Sequence, residues 1–509
     1  MTFTSSVVVG ADDLSLDDVL DAVRGRPVVL TDDPARRDRI ARGARAMADH
    51  VERGAEIYGV TTGFGDSCEN RVDPSFAVDL QHNLLRYHGC GVGSVLPDDA
   101  ALAVLVVRLA TLARGLSGVR IELLEALAAL VRHRILPRIP EHGSVGASGD
   151  LTPLSYVAAA LVGERTVTFE GREVPARAAL EACGLSPLRL APKEGLALMN
   201  GTSVMTALGI LGWDRARRLL RWATANTALA ADGLASNRRH FDPRLDAAKP
   251  HPGQRKVAAW LRADLGFDPK ATDPRKRLQD RYSIRCAPHV LGVLADAVDL
   301  AERVLTVELN SANDNPLVDP ETGDVLSGGN FYGGHVAFAL DALKTAVANA
   351  CALMDRQMAL LCGAETNNGL PANLVAPGED ASARHGFKAM QISASALCAE
   401  ALKNTMPASV FSRSTECHNQ DIVSMGMHAA RDLLRVLDVT EPVAAILTLA
   451  GCQAVDLRGL DGAGPRARAL HGAVRAHVPM VTADRAQDGD IACILELHRE
   501  GRLPVGDLD

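Results

Sequence analysis

The chain has 509 residues, a formal net charge of -8, and acidic and basic residues mixed along its length. This charge pattern argues against a nucleic-acid-binding surface, which requires a basic face. Only 4% of the residues are aromatic, while Ala, Leu and Val are abundant, so closely packed helices are favoured over sheets. At about 150 residues per domain, the length fits a few structural units or one large helical body.

Ten cysteines are scattered without a CxxC pair or a Cys/His ligand spacing, which predicts free thiols, no disulfide framework and no metal site. The N-terminal residues lack a basic region followed by an apolar segment, so a cytoplasmic protein is expected. The apolar stretch Val443 to Val455 is too short to cross a bilayer and contains Gln453, which predicts a buried helix. We therefore expect neither nucleic-acid nor membrane partners.

The first part of the chain alternates short predicted elements with glycine-rich breaks. An amphipathic helix is predicted at Leu14 to Leu20 and a strand at Arg26 to Thr31. Tyr58 to Gly65 contains three glycines in eight residues, which predicts a loop. The later elements are predicted as helices over 75–138 with breaks at 89–98 and 115–118, followed by a hairpin around Val167 to Val174.

After Asn200 the sequence pattern is almost wholly helical. Four long apolar stretches have the length and spacing of antiparallel helices in a bundle: 283–311, 335–363, 380–405 and 425–454. The sequence therefore predicts a mainly α fold, with a long antiparallel central helix bundle and a smaller mixed N-terminal region. We place the N-terminal region at 1–205, and the central bundle with the C-terminal helices at 206–509.

The string from Gly143 to Tyr156, GSVGASGDLTPLSY, carries the most specific chemistry in the N-terminal region. Within it, Gly149 lacks a Cβ, so its amide nitrogen is able to approach the Ala147 carbonyl carbon, and Ser148 carries a β-hydroxyl that can leave as water. Closure of this tripeptide would produce an electrophile, which no ordinary side chain supplies. The alternative is a glycine-rich turn that caps a helix, with Asp150 or Thr152 as the N-cap.

Several strings together resemble the aromatic amino-acid ammonia-lyases and aminomutases, a family that includes histidine, phenylalanine and tyrosine ammonia-lyases. They occur in the family's order from residue 58 to 421, so the resemblance covers nearly the whole chain. The matching strings are Tyr58 to Gly65, Gly143 to Tyr156, Met199 to Thr202, Gln279 to Arg285, Asn313 to Leu317, Gly328 to Phe331 and His418 to Asp421.

The resemblance implies that Ala147, Ser148 and Gly149 form a methylidene-imidazolone without external cofactor, with Asp150 as a candidate base for the loss of water. It also implies a homotetramer whose pockets each combine several chains, acting on a small-molecule amino acid. The implied catalytic residues are Tyr58, Ala147, Ser148, Gly149, Asn200 and Tyr282. The implied substrate-binding residues are Gly65, Tyr87, His88, Gln279, Arg285, Asn313, Phe331, Glu416, Asn419 and Gln420.

Particular roles follow from the chemistry of these side chains. The resemblance marks Tyr58 as the base, and because the pKa of a free tyrosine is about 10, a nearby cation or helix N-terminus is expected to stabilise its phenolate. Arg285 offers the planar fork that binds a carboxylate, whereas most other arginines are expected to be solvated charges. Glu416 is a candidate for holding the substrate amine. Gln279 and Asn315 are amides that suit the carboxylate or the ring, or that cap helices.

Substrate preference is predicted from two positions. The resemblance aligns Gln420 with an acidic residue of histidine lyases and with an amide of phenylalanine and tyrosine enzymes, which argues against histidine. At the ring end, His88 beside Tyr87 is able to pair with a phenol, which favours tyrosine over phenylalanine. The pair Tyr-His matches neither the Phe-Leu of typical phenylalanine lyases nor the His-Leu of some tyrosine lyases. Histidine lyases themselves have a histidine where His88 lies.

The expected activity is therefore a tyrosine-preferring ammonia-lyase that makes 4-coumarate and ammonia. The alternatives are a phenylalanine or histidine ammonia-lyase, or a tyrosine 2,3-aminomutase on the same site, and no residue separates lyase from mutase. A serine hydrolase that uses Ser148 is disfavoured because the string is not a GxSxG elbow. A helical scaffold without activity remains the last alternative.

Overall fold

The computed structural model describes residue 3, residues 5–270 and residues 278–508. The chain divides into two compact units. The first comprises Met1–Leu211, Ala301–Asp341 and Pro407–Arg431, and the second comprises Gly212–Leu300, Ala342–Met406 and Asp432–Asp509. The division of the sequence at residue 205 stays a prediction, since these units are built from several chain segments.

The fold is mainly helical, as predicted. The helices are Leu16–Val23, Pro34–Glu52, Ala77–Tyr87, Asp98–Leu112, Ile121–His133, Leu151–Leu161, Ala176–Ala182, Glu194–Met199, Ser203–Gly233, Pro243–Ala248, Pro252–Leu265, Tyr282–Arg285, Ala287–Leu309, Gly334–Cys362, Lys388–Lys403, Gly426–Arg458, Pro465–Arg475 and Asp488–Arg499. The strands are Val7–Val9, Val28–Leu30, Val92–Val95, Leu136–Pro137, Pro140–His142, Thr166–Phe169, Arg172–Pro175, Leu317–Val318 and Val325–Leu326.

The strands form small sheets within the first unit. Val7–Val9 pairs in parallel with Val28–Leu30, and the predicted hairpin is present as Thr166–Phe169 antiparallel to Arg172–Pro175. The Leu16–Val23 helix begins with a capping box in which the Ser15 and Asp18 side chains bind each other's backbone N–H. Local sequence signals therefore account for these short elements.

The long helices carry most of the core. The four predicted apolar stretches appear as Ala287–Leu309, Gly334–Cys362, Lys388–Lys403 and Gly426–Arg458, and a fifth long helix is Ser203–Gly233. Gly334–Cys362 is long and apolar enough to cross a membrane, but 72% of its apolar window is buried inside the protein, as expected of a core helix. All ten cysteines are free thiols in the structure.

Three helices of the first unit bring the matching strings together. Ala77–Tyr87, Leu151–Leu161 and Glu194–Met199 pack against one another. Tyr87 ends the first helix, the Ala147–Gly149 tripeptide precedes the second, and Asn200 follows the third. Segments far apart in the sequence therefore meet at the ends of packed helices.

Candidate active site

The Ala147–Gly149 tripeptide lies in a tight loop between the Pro140–His142 strand and the Leu151–Leu161 helix. Ser148 has φ 52° and Gly149 has φ 75°, so both occupy the left-handed region. The Gly201 N–H donates to the Ser148 carbonyl at 3.1 Å, and the Asp150 N–H donates to the Gly201 carbonyl at 2.8 Å. A Cβ on Gly149 would lie 2.1 Å from the Gly201 oxygen, so only glycine fits this approach.

The left-handed Ser148 is a strained residue that the surrounding backbone holds in place, and such strain is concentrated at functional sites. Asp150 does precede the helix, as the alternative interpretation of this string predicts. Its side chain, however, makes no capping hydrogen bond to that helix. It accepts instead from the Met205 N–H at 2.8 Å and the Ser144 hydroxyl at 3.0 Å. A helix cap is therefore not the whole role of this string.

A cavity of about 870 Å³ opens beside the tripeptide within the first unit. Most of the residues that the sequence singled out in this unit lie on its wall. Those residues are Tyr58, Gly65, Tyr87, His88, Ala147, Ser148, Asn200, Asn315, Phe331, Glu416, Asn419 and Gln420. The structure therefore brings together strings that span more than 350 positions of sequence.

Tyr58 is held in this wall by its own loop. Its hydroxyl accepts a hydrogen bond from the Gly65 N–H at 2.8 Å, and its ring meets Phe64 edge-on. Burial raises the pKa of Tyr58, and the nearby Glu416 carboxylate raises this pKa further, while the Gly65 bond lowers it. No cation or helix N-terminus is among these causes in the described residues, so stabilisation of the Tyr58 phenolate stays a prediction.

Glu416 lies in a turn with three successive left-handed residues, Glu416, Cys417 and His418, at φ 49°, 52° and 64°. Both of its carboxylate oxygens lie 3.1 Å from the Asp66 N–H. A Cβ on Gly65 would lie 2.2 Å from one of these oxygens. The Tyr58 loop therefore contacts the Glu416 carboxylate directly, and this contact requires glycine at position 65.

Asn200 is buried and its amide orientation is determined by two acceptors. Its Nδ2 donates to Asp314 Oδ1 at 3.2 Å and to the Asn315 carbonyl at 2.8 Å. Asp314 in turn forms an ion pair with Lys193, and both side chains are at most 1% exposed. Asn200 Oδ1 is left buried without a partner among the described residues. The amide oxygen is thus available to a group that the uncyclised chain does not contain.

Three charged residues that support the site were not predicted from the sequence: Lys193, Asp314 and Arg108. Arg108 is fully buried and donates to the Asn200 carbonyl at 2.9 Å. Burial lowers the pKa of Arg108 to about 10, so its guanidinium stays charged at neutral pH. Asp314 lies inside the matching Asn313 to Leu317 string, but Lys193 and Arg108 have no local sequence signal because their partners are distant in the chain.

Asn313 is predicted to bind substrate, and this role stays a prediction. It is 3% exposed, and its amide donates to the Thr202 hydroxyl at 2.7 Å and to the Glu308 carbonyl at 3.1 Å. It is not among the residues that line the cavity, whereas Asn315 is. Asn313 therefore braces the chain behind the site in this structure, because its amide is already occupied.

Gln279, Tyr282 and Arg285 belong to the second unit and do not line this cavity. Tyr282 begins the short Tyr282–Arg285 helix and is 71% exposed. The Arg285 guanidinium lies 4.6 Å from the centre of the Tyr282 ring, and its Nε donates to the Asp280 carbonyl at 3.0 Å. Their catalytic and substrate-binding roles stay predictions.

One end of the cavity wall is formed by Leu80, Leu84, Tyr87 and His88, all on or next to the Ala77–Tyr87 helix. The Tyr87 and His88 rings have centroids 4.6 Å apart, and His88 Nδ1 lies 3.4 Å from the Thr152 hydroxyl. Burial, with the charge of Arg165, lowers the pKa of His88 to about 4. A neutral imidazole on an otherwise largely apolar wall suits an aromatic ring that bears one polar group.

A family model described as aromatic amino acid lyase matches residues 14–476. The chain belongs to the aromatic amino acid lyase family. It is 42% identical over 465 residues to a histidine ammonia-lyase of Aromatoleum aromaticum, covering 91% of this chain and 88% of the relative. It is 37% identical over 504 residues to the enzyme of the same name from Bradyrhizobium diazoefficiens, covering 98% and 96%.

Solved structures of this family have the same fold. A tyrosine aminomutase of Streptomyces globisporus superposes with a TM-score of 0.90 at 37% identity, covering 98% of each chain. The histidine ammonia-lyase of Trypanosoma cruzi superposes with a TM-score of 0.90 at 32% identity, covering 98% of this chain and 94% of that chain. The prediction of a family ammonia-lyase or aminomutase is confirmed, and the tyrosine preference has no specific support.

The structure also weakens the argument that used Gln420 against histidine. Gln420 Nε2 lies 3.4 Å from the Ser148 hydroxyl, so this amide is directed at the tripeptide. The side chain therefore interacts with the group that the resemblance expects to be modified, and its lack of charge says little about the ring of the substrate. The described residues also contain no cluster of three or more His, Cys, Asp or Glu that suits a metal ion.

Proposed function

We propose that this chain eliminates ammonia from an aromatic α-amino acid, using a methylidene-imidazolone that forms from Ala147, Ser148 and Gly149. The observation that carries the proposal is the left-handed Ser148-Gly149 backbone pressed against Gly201. This geometry holds the tripeptide in a compact turn, and preorganisation of the reacting atoms is what ring closure requires. The buried, unpartnered Asn200 oxygen beside it also fits a group that the unmodified chain lacks.

The methylidene-imidazolone would supply the electron sink that makes the substrate amine a leaving group. The chain's own residues would bind and orient the substrate and move its protons. Glu416 would receive the ammonium group in place of the Asp66 N–H that it now accepts from. Tyr58 would take the β-proton once substrate or a neighbouring chain stabilises its phenolate, since its pKa is raised in the isolated chain.

L-Histidine is the first candidate substrate. The relatives at 37–42% identity over nearly the whole chain are named histidine ammonia-lyases. The neutral His88 and the Tyr87 hydroxyl at the ring end suit an imidazole, which both donates and accepts hydrogen bonds.

L-Tyrosine is the second candidate, with either 4-coumarate or a β-amino acid as product. The observation that favours it is the similarity to a tyrosine aminomutase at 37% identity over 98% of the chain. A phenol would use the same two side chains at the ring end of the cavity.

The substrate is tested by incubating purified protein separately with L-histidine, L-tyrosine and L-phenylalanine. Ultraviolet absorbance detects the conjugated acid, and chromatography detects a β-amino acid. Loss of two waters in the intact mass reports closure of the tripeptide, with Ser148→Ala as the matched control, which lacks the hydroxyl and therefore cannot lose both. If wild-type protein retains both waters and consumes none of the three amino acids, the proposed function is wrong.

We further propose a homotetramer in which Tyr282 and Arg285 complete the pocket of a neighbouring subunit. The support is that Tyr282 is 71% exposed and that neither residue lines the cavity of its own chain. Two inactive variants, Ser148→Ala and Tyr282→Phe, should regain part of the activity when they are unfolded and refolded together. Mixed assemblies would then contain pockets with both native residues, so no recovery despite mixed tetramers would contradict the arrangement.

A further inference from the structure

A buried carboxylate, Asp150, and a half-buried one, Glu308, reach the same turn behind the tripeptide. Asp150 Oδ2 accepts from the Met205 N–H at 2.8 Å, and Glu308 Oε1 accepts from the Thr202 hydroxyl at 2.5 Å. Thr202 and Met205 lie at the start of the Ser203–Gly233 helix, whose positive end stabilises negative charge. Asp150 follows Gly149 directly in the chain, whereas Glu308 comes from the Ala287–Leu309 helix. The fold therefore brings a second acid to the start of the same helix.

The two acids influence each other's charge. Burial raises the pKa of Asp150 to about 7, and the charge of Glu308 contributes to that rise. Burial also raises the pKa of Glu308, against the effects of the Thr202 bond and the charge of His335. The charge of Asp150 acts against the lowering of the pKa of the buried Arg108 guanidinium. Near neutral pH, Asp150 is thus able both to accept and to return a proton.

Closure of the tripeptide requires such proton exchange. The Gly149 nitrogen bonds to the Ala147 carbonyl carbon, and the Ala147 oxygen leaves as water with the amide protons of Gly149 and Ser148. The second water consists of the Ser148 hydroxyl and the Ser148 Cα proton. Asp150 is fully buried and follows Gly149 directly in the chain, so its carboxylate is a protein group placed to exchange these protons.

We infer that Asp150 and Glu308 act as an acid–base pair in the closure of Ala147–Gly149. Asp150 exchanges protons with the reacting atoms, and Glu308 is a positioning residue that acts through Asp150. The inference rests on the proposed function, because it concerns the formation of the same electrophile. Glu308 is the new element, since the substrate-binding and catalytic residues named above do not include it.

The test follows ring closure in newly synthesised full-length protein by intact mass, as a time course over a range of pH. In wild type, the rate of loss of two waters should rise with pH around a midpoint near 7, as Asp150 ionises. Glu308→Gln keeps an acceptor for Thr202 but removes the like charge, so Asp150 ionises more readily. We expect its midpoint to move to lower pH.

Matched variants separate this effect from a structural one. Glu302→Gln changes an exposed acid on the same helix and should keep the wild-type midpoint. Glu308→Asp keeps the charge and should restore most of the wild-type profile. His335→Gln, at an exposed residue whose charge favours ionised Glu308, should move the midpoint in the same direction as Glu308→Gln but by less. This variant reports on Glu308 even if Glu308→Gln does not fold.

The inference is overturned if neither Glu308→Gln nor His335→Gln moves the midpoint while wild type closes normally. It is also overturned if Glu302→Gln moves the midpoint as far as Glu308→Gln does. A wild-type chain that never loses two waters would instead refute the proposed function. The two failures are therefore distinguishable in one set of measurements.

Discussion

Gly65 offers a sharp test of the contact between the Tyr58 loop and Glu416. In Gly65→Ala, the new Cβ would lie 2.2–2.5 Å from the three carboxylate atoms of Glu416, well inside contact distance. Either the carboxylate or the loop must move. Movement of the loop removes the Gly65 N–H from the Tyr58 hydroxyl, and movement of the carboxylate removes it from the place proposed for the substrate amine.

The expected loss of kcat/KM in Gly65→Ala follows from the hydrogen bonds that the new Cβ would disrupt. A hydrogen bond to a charged group contributes about 1.5–3 kcal/mol. If the substrate amine loses that contact in the transition state, kcat/KM falls by roughly tenfold to a hundredfold, since about 1.4 kcal/mol is a factor of ten. An alanine in the left-handed region also lowers the free energy of unfolding by about 1–2 kcal/mol, but this strain does not act on kcat/KM.

Gly54→Ala separates the two contributions. Gly54 has φ 70° and an added Cβ there has no atom within 4 Å, so this variant carries the backbone strain without the clash. Steady-state kinetics with the amino acid that wild type consumes should show a large loss for Gly65→Ala and none for Gly54→Ala. Equal kcat/KM values for the two variants would refute the proposed contact between the loop and Glu416.

Two further predictions concern stability. Asp314→Asn leaves the fully buried Lys193 ammonium without its counter-ion, and denaturant unfolding should show a loss of about 3–5 kcal/mol. Asp438→Asn, at a 63% exposed acid paired with Arg215, is its control and should cost less than about 1 kcal/mol, so equal losses would contradict the argument. His88, with its pKa lowered to about 4, takes up a proton on unfolding, so its contribution to stability rises with pH between about 4 and 6.5. Relative to His88→Gln, wild type should lose up to about 3 kcal/mol as the pH falls through this window, and a difference that does not vary with pH would contradict the lowered pKa.

Local sequence signals predicted much of this molecule. The helix after Ser15, the hairpin near Gly171 and the apolar helices all follow from patterns within one element, because turns and periodicity depend on near neighbours. The tripeptide could also be recognised, since the chemistry of Ala147, Ser148 and Gly149 depends on three adjacent residues. The family follows from several such strings in one order.

Only the tertiary structure shows which residues hold the site in place. Lys193 is ordinary in sequence and becomes part of the site only because Asp314, more than a hundred positions away, meets it in the core. The same holds for Glu308, which reaches the turn next to Asp150 through Thr202. Asn313 and Asn315 are equivalent amides in one string, and packing alone decides that the second lines the cavity while the first does not. Charge and hydrogen-bond partners over such separations arise from chain folding, so no local pattern encodes them.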